Sequence, residues 1–249
     1  MAHCSRPLYR ALMRIAVWNM KWMTRYLAFI ARPLVRLYGM HEVIACGMRG
    51  HGGAVEIIYT PHPGNHHHRL ALLGKDGAWS AAEALPLPHF SGTRVTRMEL
   101  LGAEEGNVCK VRAETARGRT LSSPTIYVKK TSVRSADMLS AAACDNGDVV
   151  FSWSRAERFS PMIYFLVVEN GRGETNAAVY TREMSFRYPR LGTASYSVGP
   201  DNPPRFIPGE HFVAKLLVVD YDGWVSHLAE RMFVMNRAVA PALPSGGIQ

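Results

Sequence analysis

Two kinds of apolar spacing divide the chain. Across residues 6–32 apolar side chains recur with the helical period, and from residue 42 onward short runs alternating between apolar and polar residues take over. Laid out at about 100° per residue, Arg6, Arg10, Arg14, Lys21, Arg25, Arg32 and Arg36 gather in a single arc roughly 120° wide. Most of the remaining circumference is apolar, with Leu8, Leu12, Ile15, Trp22, Phe29 and Leu34 on it. Ser5 is placed to cap the start, and Pro7 falls in the first turn, where a missing N–H costs nothing. Pro33 ends or kinks the run near Ala31–Arg32. The spacing predicts a basic amphipathic α-helix within residues 1–41.

Beyond it, the alternation predicts strands at Glu42–Cys46, Ala54–Thr60, Arg69–Leu73, Arg94–Leu100, Asn107–Thr115 and Thr125–Val128. A second series follows at Leu139–Cys144, Asp148–Ser154, Ile163–Glu169, Ala177–Tyr180, Ser185–Tyr188, Phe212–Asp220 and Arg231–Met235. Gly, Pro and Asn clusters such as Pro61–Asn65 and Gly102–Asn107 separate them. Short strands without helical patterns between them indicate antiparallel sandwiches. The two series also repeat each other. Asn107–Ala113, Gly118, Ser122–Ser123 and Ile126–Val128 in the first match Phe212–Val218, Gly223, Ser226 and Met232–Val234 in the second, and Tyr59 takes the place of Trp153 on an early strand. The expected architecture is all-β, with sandwiches over residues 42–130 and 131–236, a join near Lys129–Ala136, and a loose tail at 237–249.

This pattern resembles tandem fibronectin type III domains. In the second copy "DVVFSWS" is similar to the B strand with its core Trp153, "MIYFLVVENG" to the C strand, and "IPGEHFVAKLLVVDYDGWVS" to the E–F corner, F strand and F–G turn. The first copy offers "GNVCKVRAETARGRTLSSPTIYV". The corner tyrosine of the family is replaced by Phe212 and Asn107, so the hydroxyl that would bond back to the corner is missing from both. The resemblance implies tandem immunoglobulin-like sandwiches, and carries over no Arg-Gly-Asp adhesion site, because that tripeptide does not occur.

Charge sharpens the division. The net charge of +9 comes mostly from seven bases and no acid in residues 1–41, which leaves 22 bases against 20 acids in residues 42–249. A near-neutral body speaks against an extended nucleic-acid surface. The leader lacks an uncharged run of spanning length and a compact signal-peptide core. Three readings of it stand: a mitochondrial transit-like leader, a helix lying in a headgroup layer, or a docking helix covered by protein. Under the last two, Arg10, Arg14, Trp18, Lys21, Trp22, Arg25 and Phe29 form the contact.

The four cysteines are widely spaced; Cys46 and Cys109 are placed to bridge facing strands, though buried free thiols are the commoner outcome. His66, His67 and His68, with His62 nearby, suggest imidazole chemistry, but neighbouring residues diverge in direction and no acid or cysteine completes a tetrahedral set. They read as a solvated loop open to a partner. Asp220, Asp222 and Gly223 read as a turn rather than a calcium loop. Trp224 beside them is a contact anchor if exposed and a lid on the sandwich if buried. Nucleotide, zinc-protease and serine-hydrolase signatures are missing, so no catalytic site, metal or cofactor is expected.

The function expected is that of a non-catalytic interaction or scaffold protein. Its helix attaches it to a membrane surface or large assembly, and its sandwiches meet protein partners. The alternatives are an accessory subunit of a mitochondrial membrane complex and a carbohydrate- or peptide-binding module using Trp224 and the histidines. The setting implied is intracellular and membrane-associated, mitochondrial under the transit reading.

Overall fold

The computed structural model describes residues 43–235, apart from 62–64, 75–76, 89, 91–92, 145–146, 155–162 and 195. The predicted leader helix and the tail lie outside these residues. The first set of strands comprises β1 (Ile44–Arg49), β2 (Val55–Thr60), β3 (Asn65–Leu73), β4 (Trp79–Ala81), β5 (Ala84–Leu87), β6 (Thr96–Leu100), β7 (Val108–Thr115), β8 (Thr120–Ser122) and β9 (Ile126–Tyr127). The second comprises β10 (Val133–Arg134), β11 (Leu139–Ala143), β12 (Val149–Trp153), β13 (Ile163–Asn170), β14 (Thr175–Thr181), β15 (Ser185–Tyr188), β16 (Tyr196–Ser197), β17 (His211–Val219) and β18 (Val225–Val234).

Strand pairing is almost wholly antiparallel and runs within each set, apart from an isolated parallel bridge between Gly47 and Trp224. The first forms a β1-β2-β6-β5 sheet facing a β4-β3-β7-β8 sheet, with β9 also on β7. The second forms a β11-β12-β15 sheet facing a β10-β18-β17-β13-β14-β16 sheet. Alternation decides which side chains meet between the facing sheets. Tyr59, Ile57 and Val55 of β2 point inward to Cys109, Val111 and Ala113 of β7. In the second sandwich Trp153, Phe151 and Val149 of β12 meet Tyr164, Leu166 and Val168 of β13. The missing corner hydroxyl is made good from another strand. Buried Tyr188 of β15 donates to the Pro204 carbonyl in the segment leading into β17, while Phe212 fills an aromatic cluster with Phe206 and Phe233.

Several strands do not alternate, and the reason fixes how the halves sit. Every side chain of β2, and Ile163–Val168 of β13, is buried. A strand buried on both faces reads as a continuous apolar run because each face needs a cover. Here the outer side of the β1-β2-β6 sheet packs against the outer side of the β13-β14-β17 sheet. Phe90 meets Phe165 edge-to-face with centroids 6.3 Å apart. Thr60 Oγ1 lies 3.2 Å from Tyr180 Oη, and Arg94 N donates to Val198 O at 3.1 Å. Cys46, Ile58, Phe165, Val167, Tyr180 and Leu217 are all buried in this layer. The body from Val43 onward is accordingly one compact unit, with a third apolar layer between the two sandwich cores. The two cysteines face different layers: Cys46 lies on the outer side of β1, and Cys109 points into the first core. Both are free thiols, and burial pushes each up to about 12.

Candidate functional site

Of the residues singled out by sequence, Arg10, Arg14, Trp18, Lys21, Trp22, Arg25 and Phe29 lie outside the described residues. His66, His67 and His68 are not in a loop. They open strand β3, because β3 starts at Asn65 and pairs with β7 from there, with a register shift between His66 and Arg69. The His68 ring turns inward, 5.3 Å from the ring of Tyr59, so it packs in the sandwich rather than presenting itself to a partner.

Trp224 is fully buried, which removes it as an exposed anchor. It belongs to the β17–β18 turn of the second sandwich, yet its ring completes the core of the first beside Val43, Ala45, Ile126 and Val128. Its Nε1 donates to Thr131 O at 2.9 Å. The turn reaches there because Gly47 offers no side chain; a Cβ at Gly47 would stand 2.8 Å from Ile126 Cγ2 and 3.1 Å from the Trp224 ring. Gly47 N also donates to Gly223 O, and Tyr127 N to Asp222 O. Asp220 Oδ1 accepts from the amides of Asp222 and Trp224, which holds the turn in shape. Lys129 clamps it from outside, 2.5 Å from Asp220 and 2.8 Å from Asp222. Burial by itself would lower the Lys129 ammonium; its bonds and charge contacts with the two aspartates outweigh that, and its pKa ends above the ordinary value. The aspartates thus shape a turn, and the tryptophan joins two cores.

With these residues committed to structure, one exposed group of charged side chains among the described residues lies on the outer face of the β4-β3-β7-β8 sheet. Because Cys109, Val111 and Ala113 point inward, Lys110, Arg112 and Glu114 of β7 point outward. Register places Arg69 directly opposite Arg112, Ala71 opposite both Lys110 and Ala81, and Leu73 opposite Trp79. Lys110 Nζ stands 3.8 Å from the centroid of the Trp79 ring, and Arg112 Cζ 5.8 Å from it. Small Ala71 and Ala81 floor a shallow groove of about 250 Å³ that Arg69, Arg112 and Glu114 border. Like charges directly opposite on a sheet are destabilising. None of Arg69, Lys110 and Arg112 forms an ion pair among the described residues. Desolvation by burial, and then the Arg112 charge, lowers the Lys110 pKa. Trp79 attracts both cations with its ring face, but leaves their charge unneutralised. Sequence reasoning missed this group. The "CKVRAE" run does carry a signal, since two bases two residues apart on a strand share a face. Arg69 and Trp79 join them only through the register of three strands.

Among the described residues no group of three or more His, Cys, Asp and Glu side chains is arranged to hold a metal ion.

No family model matches the chain, and no curated protein matches it. Among solved structures it is similar to a two-domain fibronectin type III segment from chicken tenascin, at 16% identity over 73% of this chain and 92% of that one, with a TM-score of 0.30. It is also similar to the fibronectin(III)-like modules of Clostridium thermocellum CbhA, at 15% identity over 74% of this chain and 86% of that one, TM-score 0.30. The chicken CNTN1 FN1–FN3 domains match at 11% identity over 79% of this chain and 65% of that one, TM-score 0.28. The fold assignment itself rests on strand order. In the second half β11-β12-β15 stand as strands A-B-E, and β14-β13-β17-β18 as C′-C-F-G. In the first, β1-β2-β6 and β4-β3-β7-β8 repeat that order. Both halves are fibronectin type III-like.

Proposed function

We propose that the protein is a non-catalytic interaction and scaffold module that binds an acidic segment of a protein partner. The contact is the face formed by Arg69, Trp79, Lys110 and Arg112. The observation that carries this reading is two cations, Lys110 and Arg112, on one indole with a third, Arg69, directly opposite Arg112, and no carboxylate paired to any of them among the described residues. An acidic peptide would supply the missing charge and lay its backbone over the groove floored by Ala71 and Ala81. The face is a single short patch, which suits a peptide better than the phosphate track of a nucleic acid. The amphipathic helix proposed within residues 1–41 attaches this module to a membrane surface or a large assembly, with Arg10, Arg14, Lys21 and Arg25 toward anionic groups and Trp18, Trp22 and Phe29 at the boundary.

The face is tested by fluorescence anisotropy with a labelled poly-glutamate peptide. The expected result is saturable binding that weakens steeply with salt and falls by about tenfold or more in Lys110→Glu/Arg112→Glu. Unchanged affinity in that variant, with its circular dichroism intact, refutes the assignment. Liposome flotation of the chain with and without residues 1–36 tests attachment. Equal flotation of both refutes the lipid contact, and the mass of the native protein shows whether the leader is retained.

A further inference from the structure

Where the end of β1 meets the linker between the sandwiches, a second group of cations surrounds an open cleft of about 510 Å³. Arg49 closes β1; Lys130 comes from the linker that runs past it and Arg134 from β10, and Glu105 is the one carboxylate on the lining. The Arg49 guanidinium is fixed in place. Its Nε donates to Lys129 O at 3.0 Å and its Nη1 to Gly53 O at 2.8 Å. These carbonyls orient the fork without neutralising it. Neither Arg49, Lys130 nor Arg134 forms an ion pair among the described residues. Neighbouring Lys129 is spent on Asp220 and Asp222, so the linker divides its lysines between a structural clamp and the cleft. Ser132 Oγ accepts from Arg49 N at 3.2 Å, which leaves its own hydroxyl hydrogen to donate. Gly50, Gly52 and Gly53 also line the cleft, Gly52 and Gly53 at positive φ.

We infer that this cleft binds a tetrahedral oxyanion, the phosphate or sulfate of a monoester. A fixed guanidinium, a lysine, a second arginine and a hydroxyl donor supply the charge and hydrogen bonds that such a group takes. The site is separate from the Trp79 face, drawing on β1, the linker and β10 instead of the β3–β7 sheet. Because its cations come from both sides of the join, the bound anion also tightens that join.

The test is isothermal titration and thermal melting of the full chain with inorganic phosphate and, separately, inorganic sulfate, each against sodium chloride at matched ionic strength. Saturable heat and a concentration-dependent rise in Tm with either anion are expected, and the tighter one distinguishes a phosphomonoester from a sulfate ester as the source. Lys130→Gln/Arg134→Gln, which leaves the Arg49 scaffold in place, is expected to weaken binding by about tenfold. Lys110→Gln/Arg112→Gln is expected to leave it within about twofold. The inference is overturned if both anions behave like chloride, or if the Lys130/Arg134 variant binds as the native chain does. The peptide assay on the Trp79 face is read independently of either outcome.

Discussion

The perturbation that bears most directly on this architecture is Trp224→Ala. Trp224 has no exposed surface and closes the first core from the second sandwich. Truncating a buried aromatic to alanine typically costs about 3–5 kcal/mol, the spread reflecting how far the site collapses around the void. Collapse is restricted here, because Gly47, Ile126 and the backbone of the β17–β18 turn already meet the ring. Losing Nε1 also strips Thr131 O of its partner, a further ~1 kcal/mol on top of the cavity. The sum is a large part of the stability of about 5–15 kcal/mol that domains possess. Urea denaturation followed by tryptophan fluorescence and by far-ultraviolet circular dichroism is the assay. The native chain is expected to unfold in one transition by both probes. The variant is expected to lose about 4 kcal/mol or more and to separate into two transitions as the bond between cores is cut. Trp224→Phe, which keeps a ring but lacks the indole N–H, falls between. A loss under about 1 kcal/mol, as for a surface tryptophan, refutes the shared core.

Gly47→Ala is expected to destabilise by about 1–3 kcal/mol through overpacking, since its Cβ would meet Ile126 and the Trp224 ring; equilibrium denaturation showing a neutral effect removes the close-approach argument. With Ellman's reagent at pH 8, the Cys46 and Cys109 thiols are expected to react only on unfolding, while partly exposed Cys144 reacts in the native state. The same two thiols make stability depend on alkaline pH. Their protonated form is favoured in the fold, so their contribution is complete below the ordinary thiol value of 9.0 and drains away as pH rises from there toward about 12. Cys46→Ser/Cys109→Ser is expected to flatten the decline of Tm between pH 9 and pH 11, and an unchanged slope argues against this origin.

Much of the fold was legible in the sequence because alternation is a direct image of a sheet with one wet face. β12 and β7 show it plainly, with inward Val149, Phe151 and Trp153 and inward Cys109, Val111 and Ala113. The short strands β4, β5, β8, β10 and β16 escaped notice, since two to four residues hold no period and β5 contains Pro86. The face-to-face layer escaped for a different reason. The unbroken run Ile163–Val168 announces a strand, but an apolar outer face and an apolar inner face look the same along the chain. Trp224 was undecidable beside Asp222 and Gly223, because a turn that plugs a neighbour and a turn that tips into solvent use the same residues. The histidines misled through their polarity: His66–His68 read as loop, whereas pairing with β7 draws them into β3. The cationic face was half visible, in the spacing of Lys110 and Arg112, and half a product of register.

The apolar layer between the sheets bears on how such a chain can be inherited. A bead in a string can be duplicated, swapped or dealt into another gene because its surface is already fit for water. Neither half here has that freedom: lifted out alone, each would carry a bare hydrophobic wall built around Ile58 and Cys46 or around Phe165, Val167 and Leu217. Genetic shuffling must therefore move the pair as a single cassette, or repaint one wall with polar residues before the halves can part.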